Sequence, residues 1–392
     1  MKRLTAQYII TNTCPPLKRG VLTTEDDGTI ISIEDTTGNL KEKHSTEFYN
    51  GIIIPGFVNS HCHLELSHMK GQTSEGDGLG GFIEQIRSSR DNNSESILSS
   101  VFAADNQMYK EGIVLCADIC NTSDSFNIKK ESRISYINLI EVFGLDPDKA
   151  CKRIENILDV AEKSREMELP FSLNPHSVYS MSLTLFRILR NESLNNKITS
   201  IHFMETAGEV PFLKNHTGPL MTTYEKSGLI PLRLETVKNH SDAVLNEITK
   251  SGNLILVHNT FTDRQTIRKI KKRRANLYWC LCPNSNIYIE NKIPPLKLLI
   301  EEGCEIIIGT DSLASNTNLS ILEELKTLQY NFPEIPIEDL VRWATINGAR
   351  ALREDERFGR IEPGKKPGLL LIENVDLQNM KLLPQSSVLR LI

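Results

Sequence analysis

The chain has 392 residues, 39% apolar and 24% charged, enough to bury a sizeable core in one large domain or two. Its net charge of −5 gives no basic footprint for nucleic acid, and no apolar stretch approaches the roughly 20 residues that span a bilayer, so neither partner is a first reading. Eight cysteines (Cys14, Cys62, Cys116, Cys120, Cys151, Cys280, Cys282 and Cys304) are scattered and mostly set in apolar runs, which suits reduced thiols better than a secreted disulfide frame.

Met1–Thr11 carries the basic pair Lys2 and Arg3 but no apolar core of signal-peptide length, and reads as the first strand of a cytoplasmic protein. Gly20–Leu22 and Ile30–Glu34 are further short strands. Eight apolar runs follow: Ile52–Val58, Ile113–Asp118, Ile134–Glu141, Pro170–Asn174, Thr199–Met204, Leu254–His258, Tyr278–Cys282 and Glu305–Gly309. Helix-length segments separate them, among them Ser94–Lys110, Lys149–Met167, Ser182–Arg190, Asp242–Ser251 and Ile337–Leu352. This alternation predicts an α/β fold, a parallel (β/α)8 TIM barrel over residues 54–357. The two ends, 1–53 and 358–392 with Gly368–Ile372 and Val388–Ile392, are too short for separate cores and are expected to combine into one small composite β-sandwich. Gly76–Gly81 lacks the Lys-Ser/Thr of a phosphate cradle and reads as a mobile entrance loop. The basic run Arg268–Arg274 reads as a solvated helix face.

Barrel enzymes carry their chemistry at the C-terminal strand ends, and here one residue type recurs there. His61 and His63 follow the first strand, His176 the fourth; His202 lies on the fifth with Glu205 after it; His258 ends the sixth and Asp311 follows the eighth. Five of the nine histidines thus fall at predicted strand ends, whereas chance would scatter them into helices and loops. A bare His-x-His pair is more often two satisfied surface histidines. In this company, with side chains i and i+2 on one face of a strand, it reads as half of a metal site. His61, His63, His202 and Asp311 are the candidate ligands: three imidazoles and a carboxylate, leaving an open position for water. Cys280 and Cys282 read as buried structural thiols.

Such a site activates water at neutral pH; attack on an electron-poor carbon then needs a base and an acid. Asp311 suits the base and Glu205 the acid, while His258 can steady the developing charge and His176 can donate to the substrate rim. The fourth strand holds no lysine to bridge a second metal, so one ion per chain is expected.

The segments PGFVNSHCHLE, IHFMET, VHN, GTDS and NGARAL with GRIEPGKKPGLLLIE, in that order, resemble the signatures of the amidohydrolase superfamily. Within it the chain looks like the cytosolic deaminase and chlorohydrolase (ATZ/TRZ-like) branch, which includes S-adenosylhomocysteine, aminodeoxyfutalosine and guanine deaminases. The resemblance implies a distorted (β/α)8 barrel, a composite β-sandwich, frequent homodimers and one divalent metal, most often Zn2+, with Fe2+ or Mn2+ accepted by the same ligands. Position by position, it places metal ligands at His61, His63, His202 and Asp311, the proton shuttle at Glu205, the sixth-strand histidine at His258 and a substrate-side histidine at His176. His63-Leu64-Glu65 resembles the aminodeoxyfutalosine deaminases and offers Glu65 to a ribose or base edge. Two departures stand out: Pro367-Gly368-Leu369 replaces the usual Ala-Asp-Leu, and Leu281 stands before Cys282-Pro283-Asn284-Ser285-Asn286, where the branch commonly has histidine.

The resulting expectation is a metal-dependent hydrolytic deaminase of a small molecule, a 6-aminopurine nucleoside-type compound that releases ammonia. Chlorohydrolase, guanine deaminase or cyclic amide hydrolase activity on the same site is the enzymatic alternative. A non-catalytic scaffold would have no need of Glu205, His258 and Asp311 together.

Overall fold

The structure, a computed structural model, describes residues 1–41, 45–89 and 94–392. Eight strands form the centre: β1 (Phe57–Cys62), β2 (Ile113–Cys120), β3 (Ser135–Val142), β4 (Phe171–Pro175), β5 (Ile198–Phe203), β6 (Asn253–His258), β7 (Leu277–Leu281) and β8 (Glu305–Ile308). β1 to β4 pair in parallel in chain order, as do β5 to β8. The two half-barrels meet at two seams. His202 donates its backbone N–H to His176 O at 2.9 Å, and Asp311 N donates to His61 O at 3.1 Å. Both seams therefore run through predicted site residues. The strands are buried along almost their whole length, as a parallel sheet covered by helices requires.

The first predicted strand divides in two. Thr46–Pro55 belongs to the sheet built from the chain ends, where Ile52–Ile54 and Pro55 pair antiparallel with Ile372–Leu369, and the barrel strand begins at Phe57. Pro55 has no N–H to extend a ladder, and Gly56 marks the changeover. A Cβ there would lie 2.3 Å from Val114 Cγ1. The end sheet contains seven strands, with Lys2–Ile9 central and Leu369–Glu373 and Ser387–Arg390 joining from the far end of the chain. Its core includes Leu4, Ile9, Leu22, Ile53, Leu369 and Leu371.

The helices follow their apolar spacing. In Ala150–Glu166, Ile154, Ile157 and Ala161 turn inward at three- and four-residue steps, and Ser182 caps Leu183–Glu192 by accepting from Leu185 N at 3.1 Å. The helix expected over Ile337–Leu352 is continuous but widens into a π-turn at Trp343–Asn347. After it, Gly348 comes so close to β1 that a Cβ would lie 2.9 Å from Ser60 Oγ.

Two surface expectations need correction. A helix, Gly78–Ser89, begins inside the predicted entrance loop, and its Leu79 lines the main cavity. In the basic run, Arg268 pairs with Glu302 at 2.8 Å and Lys269 with Asp242 at 3.0 Å on an exposed face, but Arg274 turns inward and is buried. The reason is geometric: Arg274 lies beyond the end of helix Arg264–Lys271, just before β7 enters the core. Among the described residues, no helix is long and apolar enough to cross a membrane.

Candidate metal and catalytic site

The C-terminal strand ends converge as the alternation implies. His63 Nε2 lies 3.2 Å from His61 Nε2 and 3.3 Å from His202 Nε2, and Asp311 Oδ1 lies 3.5 Å from both His61 Nε2 and His63 Nε2. The ring nitrogens of His61, His202 and His258 and an Asp311 oxygen also lie within 4.8 Å of one another. Five side chains from β1 and the residue after it, β5, β6 and the turn after β8 therefore share one small volume.

The chemistry of this donor set fits a cation. Zinc–nitrogen bonds of about 2.0–2.1 Å in a tetrahedron put ligand atoms roughly 3.4 Å apart, close to the separations found here. His202 Nδ1 lies 2.7 Å from His176 O, a distance at which the ring donates its Nδ1 proton and leaves the Nε2 lone pair facing the cluster. Burial first, then the neighbouring rings, hold His63 and His202 well below the usual imidazole range, so both are neutral and able to ligate. Burial would raise the Asp311 carboxyl, but its bond to His61 and the nearby His63 and His258 rings prevail and keep it well below the usual carboxylate range.

His258 stands apart within the cluster. Asn286 Nδ2 donates to its Nδ1 at 3.0 Å, so the neutral ring carries its proton on Nε2. That nitrogen is buried with no hydrogen-bond partner among the described residues and lies 3.6 Å from Glu205 Oε1. Burial pushes the ring down to about 3, so it stays neutral. The expected ligands His61, His63, His202 and Asp311 thus lie together, and His258 faces the same space.

The backbone at these positions is bent out of strand conformation. Met204 (φ +49°), His258 (φ +75°), Asn259 (φ +60°) and Asp311 (φ +58°) are all left-handed, a conformation that costs free energy for non-glycine residues and persists where the surroundings over-determine it. Asn59 supplies part of that determination: its Oδ1 accepts from Thr310 N at 3.2 Å, and its Nδ2 donates to Thr310 Oγ1 at 2.8 Å, tying β1 to the loop that presents Asp311.

Glu205 is buried after β5 and accepts from the Tyr179 hydroxyl at 2.9 Å. Burial, then the Asp311 and Glu209 carboxylates, raise it well above the usual carboxylate range, which favours the protonated form. Glu205, His63, His176, His202, His258 and Asp311 all line one cavity of about 550 Å³, a volume suited to a small organic ligand. Its lining also includes the apolar Leu79, Phe82, Ile83, Leu229 and Ile230 and the charged Arg87, Lys149 and Arg153. His176 stacks on His202 with ring centroids 4.5 Å apart.

Glu65 is placed otherwise than expected. The 3-10 turn Leu64–Met69 directs it toward the loop after β2, where its Oε2 accepts from Asn121 N at 3.0 Å and Thr122 N at 3.3 Å, and it does not line the cavity. Sequence reasoning also missed several supports. Ser285 and Ser315 each donate to Asp311 Oδ2 at 2.6 Å, leaving Oδ1 toward the imidazoles. Glu141 lines the cavity beside His176. The Pro283–Asn286 motif was the available signal for Ser285 and Asn286; nothing local marked Tyr179. Leu281, where the branch commonly has histidine, is fully buried in β7. Cys280 and Cys282 are buried and free, and take no part in the cluster.

A barrel that gathers histidines and an aspartate at its strand ends defines a class of hydrolase, and sequence comparison agrees. The amidohydrolase family model matches residues 52–388, and the chain belongs to that metal-dependent family. It is 26% identical over 358 residues to an adenosine deaminase of Helicobacter pylori, an alignment covering 88% of this chain and 85% of the relative. Among solved structures, an aminofutalosine deaminase of Helicobacter pylori in complex with methylthio-coformycin superposes with a TM-score of 0.78 at 22% identity, covering 95% of this chain and 92% of that one. The atrazine chlorohydrolase of Arthrobacter aurescens complexed with zinc gives 0.71 at 16% identity, covering 97% and 90%. These two likenesses bear on the fold.

Proposed function

We propose that this protein is a hydrolytic deaminase of adenine nucleoside-type compounds, using one zinc ion per chain held by His61, His63, His202 and Asp311. The observation that carries the reading is the placement of Glu205: a buried carboxyl group in the same cavity as the histidine–aspartate cluster, 3.6 Å from His258 Nε2, in surroundings that favour its protonated form. The names of the relatives supply the amine, since the adenosine deaminase aligns along most of both chains.

A divalent cation in this set supplies the Lewis acidity that makes water nucleophilic near neutral pH. The chain's own groups do the rest. Asp311 is ionised and takes the proton of the attacking water on Oδ1, the oxygen that Ser285 and Ser315 leave free. Glu205 gives its proton to the ring nitrogen adjacent to the amine-bearing carbon, so that carbon accepts the oxygen. His258 donates from Nε2 to the oxygen being added. The proton held on Asp311 then passes to the amine, the carbon–nitrogen bond breaks and ammonia leaves, while the proton remaining on the added oxygen returns to Glu205 as the carbonyl forms. His176 lies beside the substrate's path, and the apolar and charged residues lining the rest of the cavity offer contacts to the remainder of the nucleoside.

The test is ammonia release by metal-loaded protein from adenosine, 5′-deoxyadenosine, methylthioadenosine, S-adenosylhomocysteine, aminodeoxyfutalosine, guanine and cytosine. Turnover of an adenine nucleoside well above guanine and cytosine is expected. Release from none of them by protein holding one metal per chain would overturn the assignment and turn attention to chlorinated rings and cyclic amides.

A further inference from the structure

Glu209, four residues after Glu205, is fully buried and does not line the cavity, yet its carboxylate is closely tied to the site. Its Oε1 accepts from the backbone N–H of Glu205 at 2.6 Å and of Thr206 at 3.0 Å. Its Oε2 meets His240 Nε2 at 2.6 Å. His240 is itself buried and arrives from a separate short turn, His240–Asp242, whose first residues are fixed by Asn239 Oδ1 accepting from Asp242 N at 2.9 Å. Phe203, the last residue of β5, lies edge-on to the His240 ring with centroids 5.4 Å apart.

A carboxylate removed from water is costly unless strong donors surround it; here three donors converge on its two oxygens. Two of those donors are consecutive peptide N–H groups at the point where β5 ends and Met204 adopts a left-handed backbone (φ +49°). Glu209 alone would tie the Glu205 peptide to its own helix, Glu209–Asn215. Joined to His240, it ties that peptide to a second element as well.

We propose that Glu209 and His240 form a positioning pair that fixes the peptide of Glu205 and thereby the place of its carboxyl group in the cavity. Neither residue touches the substrate; both act through Glu205. The inference rests on the reading of Glu205 as the proton donor. Displacement of such a group by about 1 Å can cost on the order of 100-fold in rate, whereas substrate affinity, set mainly by the cavity wall, changes little.

The test uses the full-length, metal-loaded protein. Glu209→Ala should lower kcat about 30- to 100-fold with KM within about threefold and metal content unchanged. Glu209→Gln, whose amide oxygen still accepts from both N–H groups, should recover to within about tenfold of the parent. His240→Leu removes the donor while keeping bulk and should lower kcat at least about tenfold, and His240→Gln should restore part of it. Amide hydrogen exchange in the peptide spanning 203–208 should quicken in Glu209→Ala and His240→Leu but not in the peptide spanning 253–258. A merely structural pair would lower Tm and leave kcat of the folded enzyme alone. Unchanged kcat in folded, metal-loaded Glu209→Ala and His240→Leu, or glutamine variants no better than alanine and leucine, would overturn the positioning role. If Glu209→Ala does not fold, the His240→Leu and His240→Gln pair decides. Absence of turnover in the parent protein would instead remove the reaction itself, an outcome separate from variants that match an active parent.

Discussion

His202 Nδ1 and the backbone oxygen of His176 lie 2.7 Å apart across the seam between β4 and β5. The contact sets the tautomer of one proposed ligand with a backbone atom of a neighbouring cavity residue, so the two histidines differ in what their side chains contribute. His202→Ala should strip the metal and abolish turnover. His176→Ala keeps the carbonyl and should retain metal while losing roughly 10- to 100-fold in kcat/KM, the scale of a lost substrate contact. Metal analysis and kinetics on the same preparations check both; a fully loaded His202→Ala would show the ligand set to be misassigned.

Glu205→Gln keeps volume and burial but has no proton to give. Metal content should stay at one per chain and kcat should fall about 10²- to 10⁴-fold, the usual contribution of a positioned acid. Parent-like turnover in that variant would remove Glu205 from the mechanism.

Tyr179 donates to Glu205 Oε2 at 2.9 Å, a bond that favours the ionised form and opposes the upward push of burial. In Tyr179→Phe the carboxyl should titrate at higher pH than in the parent. A general acid works only while protonated, so activity is lost as pH rises through its pKa. The alkaline limb of the kcat profile should therefore move to higher pH in the variant. Movement to lower pH would contradict the assignment.

Lys129 and Asp118 form an ion pair with both side chains fully buried, and Asp118 Oδ1 also accepts from Leu64 N at 2.7 Å, next to His63. Burial opposes the lysine's charge, but the Asp118 carboxylate and Cys120 beside it raise its pKa overall, so it remains charged. Lys129→Met leaves Asp118 buried without its counter-charge and should destabilise the fold by about 3–5 kcal/mol in urea unfolding, the range for breaking one side of a buried pair. Adding Asp118→Asn should recover part of that loss. Equal stability in the single variant would mean that water reaches the pair.

Much of the site was legible because a parallel barrel concentrates reactive residues at one end of short apolar runs. Period-two spacing placed His61 and His63 on one face, and the recurrence of histidine at later strand ends pointed to a shared centre. Glu65 follows the proposed ligands in sequence, but it sits in a 3-10 turn and accepts from the backbone of the loop after β2. Tyr179, Glu209 and His240 carry no local pattern, and their partners lie 26, 4 and 31 residues away through hydrogen bonds that exist only once the chain is folded.

The sequence by itself determined the alternating barrel, the joining of the two chain ends and the residue types available to a cation and a proton donor, because these depend on local periodicity and side-chain chemistry. Only the tertiary structure decided that Thr46–Pro55 belongs to the end sheet and the barrel strand begins after Gly56, that His258 faces the site with a proton on Nε2, and that burial favours the protonated Glu205 beside an ionised Asp311. Those outcomes follow from burial and from contacts between distant strands, and the order of residues along the chain does not encode the distances that set them.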